Sequence, residues 1–219
     1  MSDWDERARR AQERYDDGAS RLPENRDERQ RQLTRIGNAA WAAGLSLLML
    51  GRRDEAELWL VRAAETYRES WPDAPPGSWG RPIGAMKSRL IARDLSGAEE
   101  DARWALGARA ADAESPIGRY AAVLAELVLG DDDRAAVLAQ TLVRADSIPP
   151  AVADSLIALA ARDASAYESA IRALVADFES RAEYLEDVPV ADTVLAFQEL
   201  ARRRWIIFEL ASPVLPRRG

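Results

Sequence analysis

The sequence predicts an all-α protein, a stack of helical hairpins, on three observations. A short turn recurs four times, at Leu50-Gly51-Arg52-Arg53-Asp54-Glu55-Ala56, Ala92-Arg93-Asp94-Leu95-Ser96-Gly97-Ala98, Leu129-Gly130-Asp131-Asp132-Asp133-Arg134-Ala135 and Ala161-Arg162-Asp163-Ala164-Ser165-Ala166-Tyr167. Apolar residues between the turns follow helical spacing, and no period-two pattern of useful length marks a strand. In each turn an apolar run ends at Gly or Arg, and Asp54, Ser96, Asp133 or Ser165 stands three residues on. Such a side chain serves as the N-cap of a following helix, because its oxygen accepts an otherwise unpaired amide. Glu57, Glu99 and Glu168 stand three positions further on and complete a capping-box pattern, which Ala136 breaks in the third copy.

Taken in order, Trp4, Ala8, Ala11 and Tyr15 give a first helix over 3–17, ended by Gly18. Pro23 suits the first turn of a second helix, charged from Glu24 to Arg35 and apolar from Ile36 to Leu50. Its first half stands in solvent or forms a flexible charged arm; its second half is buried. A helix from Asp54 to Trp71 follows, with Ala56, Leu60, Ala63 and Ala64 facing its partner. The stretch from Trp71 to Pro82 reads as a stiff, proline-rich connection in which two tryptophans clamp the loop or Trp79 and Arg81 line a site. Further helices are expected at about 83–92, 96–112, 116–129, 133–145, 150–161, 165–182 and 190–204, several opened by proline. The tail from Trp205 to Leu210 is apolar enough to pack back on the body. This gives one helical-repeat domain over 1–219: an N-terminal helix at 1–22, hairpins at 24–182, and a capping helix with tail at 183–219.

Composition narrows the function classes. The chain has 219 residues, 47% hydrophobic and 31% charged, which suits a folded protein with a core of its own. A formal charge of −7 argues against a nucleic-acid partner, which calls for a basic stripe facing phosphates. The sequence contains no Cys and no His, which removes thiolate nucleophiles, the commonest general base and the commonest metal ligands. No catalytic residue, metal ligand or cofactor site is therefore assigned, although carboxylate-only chemistry stays open. The acidic start, Ser2-Asp3-Trp4-Asp5-Glu6, is unlike a signal peptide, and no apolar run suits a membrane span. The expected location is the cytoplasm.

The turn residues Gly51, Arg93, Gly130 and Arg162 lie 42, 37 and 32 positions apart, around the period of helix-hairpin solenoids. With Gly44 before the turn, Glu55-Ala56 after it and Ala63 seven residues on, residues 37–70 resemble a tetratricopeptide repeat. The later equivalents of Ala56 are Ala98, Ala135 and Tyr167; those of Ala63 are Ala105, Leu142 and Leu174. The resemblance covers about 37–182 and implies a right-handed α-solenoid of about four such hairpins. It also implies a concave face carrying Asn38, Trp41, Leu45, Leu48 and Met49, then Gly80, Ile83, Lys87, Leu90 and Ile91, then Ile117, Tyr120, Leu124, Leu127 and Val128. Such a face is too apolar to stand open, so either the chain's own ends or a second chain covers it.

The sequence thus points to a non-enzymatic interaction or scaffold module that binds a protein partner or its own copy. The alternative is a small anionic ligand held in a basic–aromatic pocket on the concave face. The residues offered for either role are Trp41, Trp79, Arg81, Lys87, Arg119 and Tyr120. Arg89, with the cations just named, has Glu99, Asp101 and Glu126 as possible partners instead. Asp131-Asp132-Asp133 reads as a helix start rather than a cation site, and Arg202-Arg203-Arg204 as a favourable charge at a helix end. With Arg217-Arg218 the latter cluster could also attract an acidic partner.

Overall fold

The recurring turn works as a paired stop and start signal. A computed structural model of the chain describes residues 3–143 and 145–217. Among them are ten α-helices: α1 (Asp3–Ser20), α2 (Arg26–Met49), α3 (Arg53–Glu69), α4 (Gly80–Ile91), α5 (Leu95–Gly107), α6 (Pro116–Leu129), α7 (Asp132–Gln140), α8 (Pro150–Ala160), α9 (Ala164–Glu179) and α10 (Asp192–Arg202). The turn joins α2 to α3, α4 to α5, α6 to α7 and α8 to α9. Its Gly51, Arg93, Gly130 and Arg162 lie at φ +75, +56, +82 and +52°. Each left-handed residue returns its own amide and the next one to carbonyls of the helix just ended, as in Gly130 N–H to Leu127 (3.3 Å) and Asp131 N–H to Glu126 (3.0 Å).

The following helix begins at once, which corrects the expected caps. Asp94, Asp131 and Asp163 are the N-caps, accepting the amides of Gly97, Arg134 and Ala166. Ser96, Asp133 and Ser165 lie inside the helices, two residues too late to cap them. In the first copy the cap position is Arg52, which offers no side-chain acceptor, and Asp54 is again helical. Glu57, Glu99 and Glu168 therefore do not close capping boxes; they pair one turn along with Arg53, Arg103 and Arg172. Two further boundaries move. Gly18 is buried within α1 rather than ending it, and α2 starts at Arg26 behind the Asn25 cap rather than at Pro23.

Burial follows the charge pattern of α2. Its first turns are mostly exposed, while nearly every residue from Ile36 to Leu48 is buried. This helix packs on both α1 and α3, so its apolar half is covered on more than one side. Gly44 allows the tight crossing expected with α3: a Cβ there would sit 2.6 Å from the Leu60 side chain. Ala56, Ala98 and Ala135 are fully buried at the equivalent crossings, and the large Tyr167 is accommodated with Phe208 edge-on at 5.7 Å.

Successive helices pack on one another, and α4 and α8 both also touch α6. The connection after α3 is clamped by aromatic rings, Trp71 lying 5.6 Å from Trp79 and 5.5 Å from Trp104. The chain then turns back on itself. Residues 183–191 cross from α9 towards α1, and α10 packs on α4, α8 and α9. Two of the three arginines at the end of α10 fasten it there, while Arg202 pairs with Glu199 of the same helix. Buried Arg204 reaches the Leu127 carbonyl (2.8 Å) and Asp132, and Arg203 reaches the Val128 carbonyl (2.8 Å). Asp132 also takes Arg162 at 2.8 Å, so two members of the acidic triplet are committed, Asp131 to capping and Asp132 to ion pairing. Arg218, with which this cluster was grouped, lies outside the described residues.

No helix among the described residues is long and apolar enough to cross a membrane.

Candidate functional site

The face carrying Trp41, Lys87 and Tyr120 is covered by the chain's own C-terminal segment. Lys87 Nζ pairs with Asp192 (2.5 Å) and donates to Thr193 Oγ1 (2.8 Å), both at the start of α10. The segment before it is held from the other side: Arg14 of α1 pairs with Glu186 (2.6 Å), and Arg7 donates to the Asp187 carbonyl. Glu186 and Asp187 are consecutive left-handed residues, at φ +56 and +58°. This bent strap leaves a cleft on each side of the Lys87–Asp192 pair.

The first cleft, about 460 Å³, lies between α2 and the start of α4. Its walls are Thr34, Asn38, Trp41, Tyr67, Ser78 and Arg81, with Leu185 of the strap at its edge. Tyr67 comes from α3 and threads between Gly37 and Gly84, where a Cβ on either would meet its ring at 2.9 Å. Its hydroxyl donates to Asn38 Oδ1 at 2.8 Å. Burial, with the Asp192 and Glu186 carboxylates adding to it, pushes the Tyr67 phenol far above its usual range, so it stays a neutral donor. Arg81 is 8% exposed. Its guanidinium donates to Gln30 Oε1 and to Thr34 Oγ1 (3.1 and 3.3 Å), both neutral. Desolvation lowers its affinity for the proton.

The second cleft, about 340 Å³, lies beyond the strap towards α6 and α8. Trp41 and Lys87 reach it as well, and Tyr120, Ile117, Ile148 and Phe178 complete an apolar wall. The Tyr120 hydroxyl is buried there without a hydrogen-bond partner among the described residues, and burial raises its pKa far above the ordinary value.

Of the six residues offered from sequence, Trp41 and Lys87 line both clefts, Arg81 the first and Tyr120 the second. The other two stand elsewhere. Trp79 is buried against Trp71 in the clamped connection. Arg119 is taken up by the carbonyls of Ala113 and Glu114, securing the turn before α6 (3.3 and 2.8 Å). Arg89 is likewise committed, to Asp94 (2.5 Å) and Asp101 (3.3 Å). The predicted single pocket is thus two, divided by a strap that the helical periodicity of the hairpins did not announce. Thr34 and Gln30 were passed over because they sit in the charged half of α2; Tyr67 carried no local signal at all.

A different surface stands out at the C-terminal end. Trp205 follows α10 at φ +62°, in the same backbone arrangement as the four inter-helix turns: its amide returns to Arg202 (3.1 Å) and that of Ile206 to Ala201 (3.0 Å). The chain beyond is extended and alternates. Ile206 points in and Phe208 is half-buried, while Trp205 and Ile207 are 89% and 67% exposed.

No group of three or more potential ligand side chains is placed to hold a metal among the described residues. No family model, curated protein or solved structure matches this chain.

Proposed function

We propose that this chain is a non-enzymatic interaction module: a right-handed α-solenoid of about four tetratricopeptide-like hairpins, capped by α1 and α10. Supporting the repeat reading are the four copies of one turn with the same backbone bonds, and the contacts of α6 with both α4 and α8. The inner face serves as a core for the C-terminal segment, so the contact with a protein partner or a second copy lies on the C-terminal edge.

The observation that carries this reading is Trp205. A tryptophan left 89% in water gives up the burial that makes this side chain useful to a fold. It also occupies a left-handed position, φ +62°, where a non-glycine residue costs about 1 kcal/mol. The turn closes α10, but folding gains nothing from having a tryptophan side chain there, whereas exposed Trp beside Ile is the composition of an interface anchor.

Native mass spectrometry of gently purified protein, wild type against Trp205→Gly, tests the reading. The wild type is expected as a dimer or with a bound protein, and the variant as a bare monomer. The variant should also be about 1 kcal/mol more stable to urea, because glycine relieves the backbone while no contact is lost. A wild type that is already a bare monomer, or a complex indifferent to the substitution, contradicts it.

A further inference from the structure

Among the described residues, Arg81, Arg89 and Arg204 have largely covered side chains and lie at helix junctions. Arg89 answers to Asp94 and Asp101, and Arg204 to Asp132. Arg81 has no carboxylate partner among the described residues; its partners are the Gln30 amide and the Thr34 hydroxyl. A buried cation surrounded only by neutral dipoles is short of a counter-charge, since dipoles replace hydration but not the field of an anion.

The guanidinium is also incompletely used. Nε and Nη2 carry the bonds to Gln30 and Thr34, and Nη1 makes none to the described residues. Arg81 is a wall of the 460 Å³ cleft, a space of ligand size. Nearby donors complete the set. The Asn38 amide nitrogen is left over once its oxygen accepts Tyr67, and α4 opens at Gly80 without a side-chain cap. Trp41, Tyr67 and Ile83 supply the apolar walls. At the far end Lys87 neutralises Asp192 (2.5 Å), which leaves the cleft with one net positive charge from Arg81.

We infer that the cleft beside Arg81 binds a small organic oxyanion, its carboxylate or phosphate head on Arg81 Nη1 and Asn38 and its flat apolar body against Trp41 and Tyr67. This rests on the cleft and its charge alone and is independent of the contact assigned to Trp205. The oxyanion supplies the missing counter-charge, and the bonds formed are charge-assisted.

The full-length protein is titrated with benzoate, phenyl phosphate and inorganic phosphate, followed by tryptophan fluorescence and thermal shift. Saturable quenching with a raised Tm is expected for at least one aromatic probe; which of benzoate and phenyl phosphate binds tighter assigns the head, and inorganic phosphate should bind more weakly than phenyl phosphate. Arg81→Lys should weaken binding at least about tenfold, since one charge-assisted bond is worth that much. Thr34→Asp keeps the experiment informative if Arg81 variants fold poorly. It places a carboxylate on the guanidinium, so it should raise the Tm of the free protein while abolishing the response to the probes. The inference is overturned if no probe gives a saturable response with the wild type, or if Thr34→Asp binds as the wild type does.

Discussion

Glu126 shows how single side chains set the energetics of this chain. It is 2% exposed on α6, and its Oε1 has only Arg134, itself in solvent, within ion-pair range at 3.2 Å. Burial raises its pKa, with Asp131 adding to the effect and Arg134 opposing it. A carboxyl that holds its proton more tightly when folded stabilises the fold in its protonated form, and that stabilisation is lost as pH rises through the folded value. Glu126→Gln should therefore be more stable than wild type by about 1 kcal/mol at pH 7. The difference should shrink as pH is lowered towards the ordinary carboxyl range, as urea melts across that interval would read. A constant difference would show that the carboxyl titrates alike folded and unfolded, and a less stable variant that the fold prefers the ionised form; either contradicts the account. None of this was legible beforehand, because Glu126 was seen only as a possible partner for nearby cations. Arg81 was legible as a candidate, but not its reason: the neutral company it keeps comes from Gln30 and Thr34, about fifty residues earlier, and no local pattern links them.

At the scale of the element, the recurring turn was read correctly as a boundary and incorrectly in its chemistry. Apolar periodicity placed the helices to within a few residues, and 116–129 was matched by α6. The caps were missed because two acceptors compete in three of the four turns, one directly after the left-handed residue and one two positions later. Backbone geometry decides between them. Once Arg93 or Arg162 turns left-handed, the next amide must return to the previous helix, so the next side chain is the one that faces the new helix start. Asp94→Ala, Asp131→Ala and Asp163→Ala should each cost about 1 kcal/mol in urea unfolding, and Ser96→Ala and Ser165→Ala only a few tenths. Arg52→Asp should add about 0.5–1 kcal/mol by giving the first turn the acceptor it lacks, a gain that outweighs the exposed Arg52–Glu55 pair it removes. Equal effects at Ser96 and Asp94 would return the cap to the later position.

For the molecule as a whole, the question raised by its apolar inner face is what covers it. The resemblance to a tetratricopeptide repeat implied that something must, since it sets Leu45, Leu124 and Leu127 on that face, and all three are fully buried. Which end of the chain does so was not legible, because the covering contacts join positions 77 to 106 residues apart: Lys87 to Asp192 and Thr193, Leu127 to Arg204. Arg202-Arg203-Arg204 was read as charge at a helix end, yet two of its members hold the lid to the body. The same turn that fastens Arg204 inward sets Trp205 outward, which links the covered face to the contact proposed on the edge. Closure by the chain's own segment is also what distinguishes this molecule from one whose face is filled by a second copy.

The cysteine-free sequence permits a clean test of that closure. Lys87→Cys and Thr193→Cys, combined in one chain and treated with a short bis-maleimide at low protein concentration, place the reporter across the contact between α4 and α10. A crosslink within one chain, giving a compact species of monomer mass with Lys87 and Thr193 peptides joined, is the predicted result. A crosslink found only between chains, with mass twice that of the monomer, would mean that a second copy supplies α10 and would contradict it.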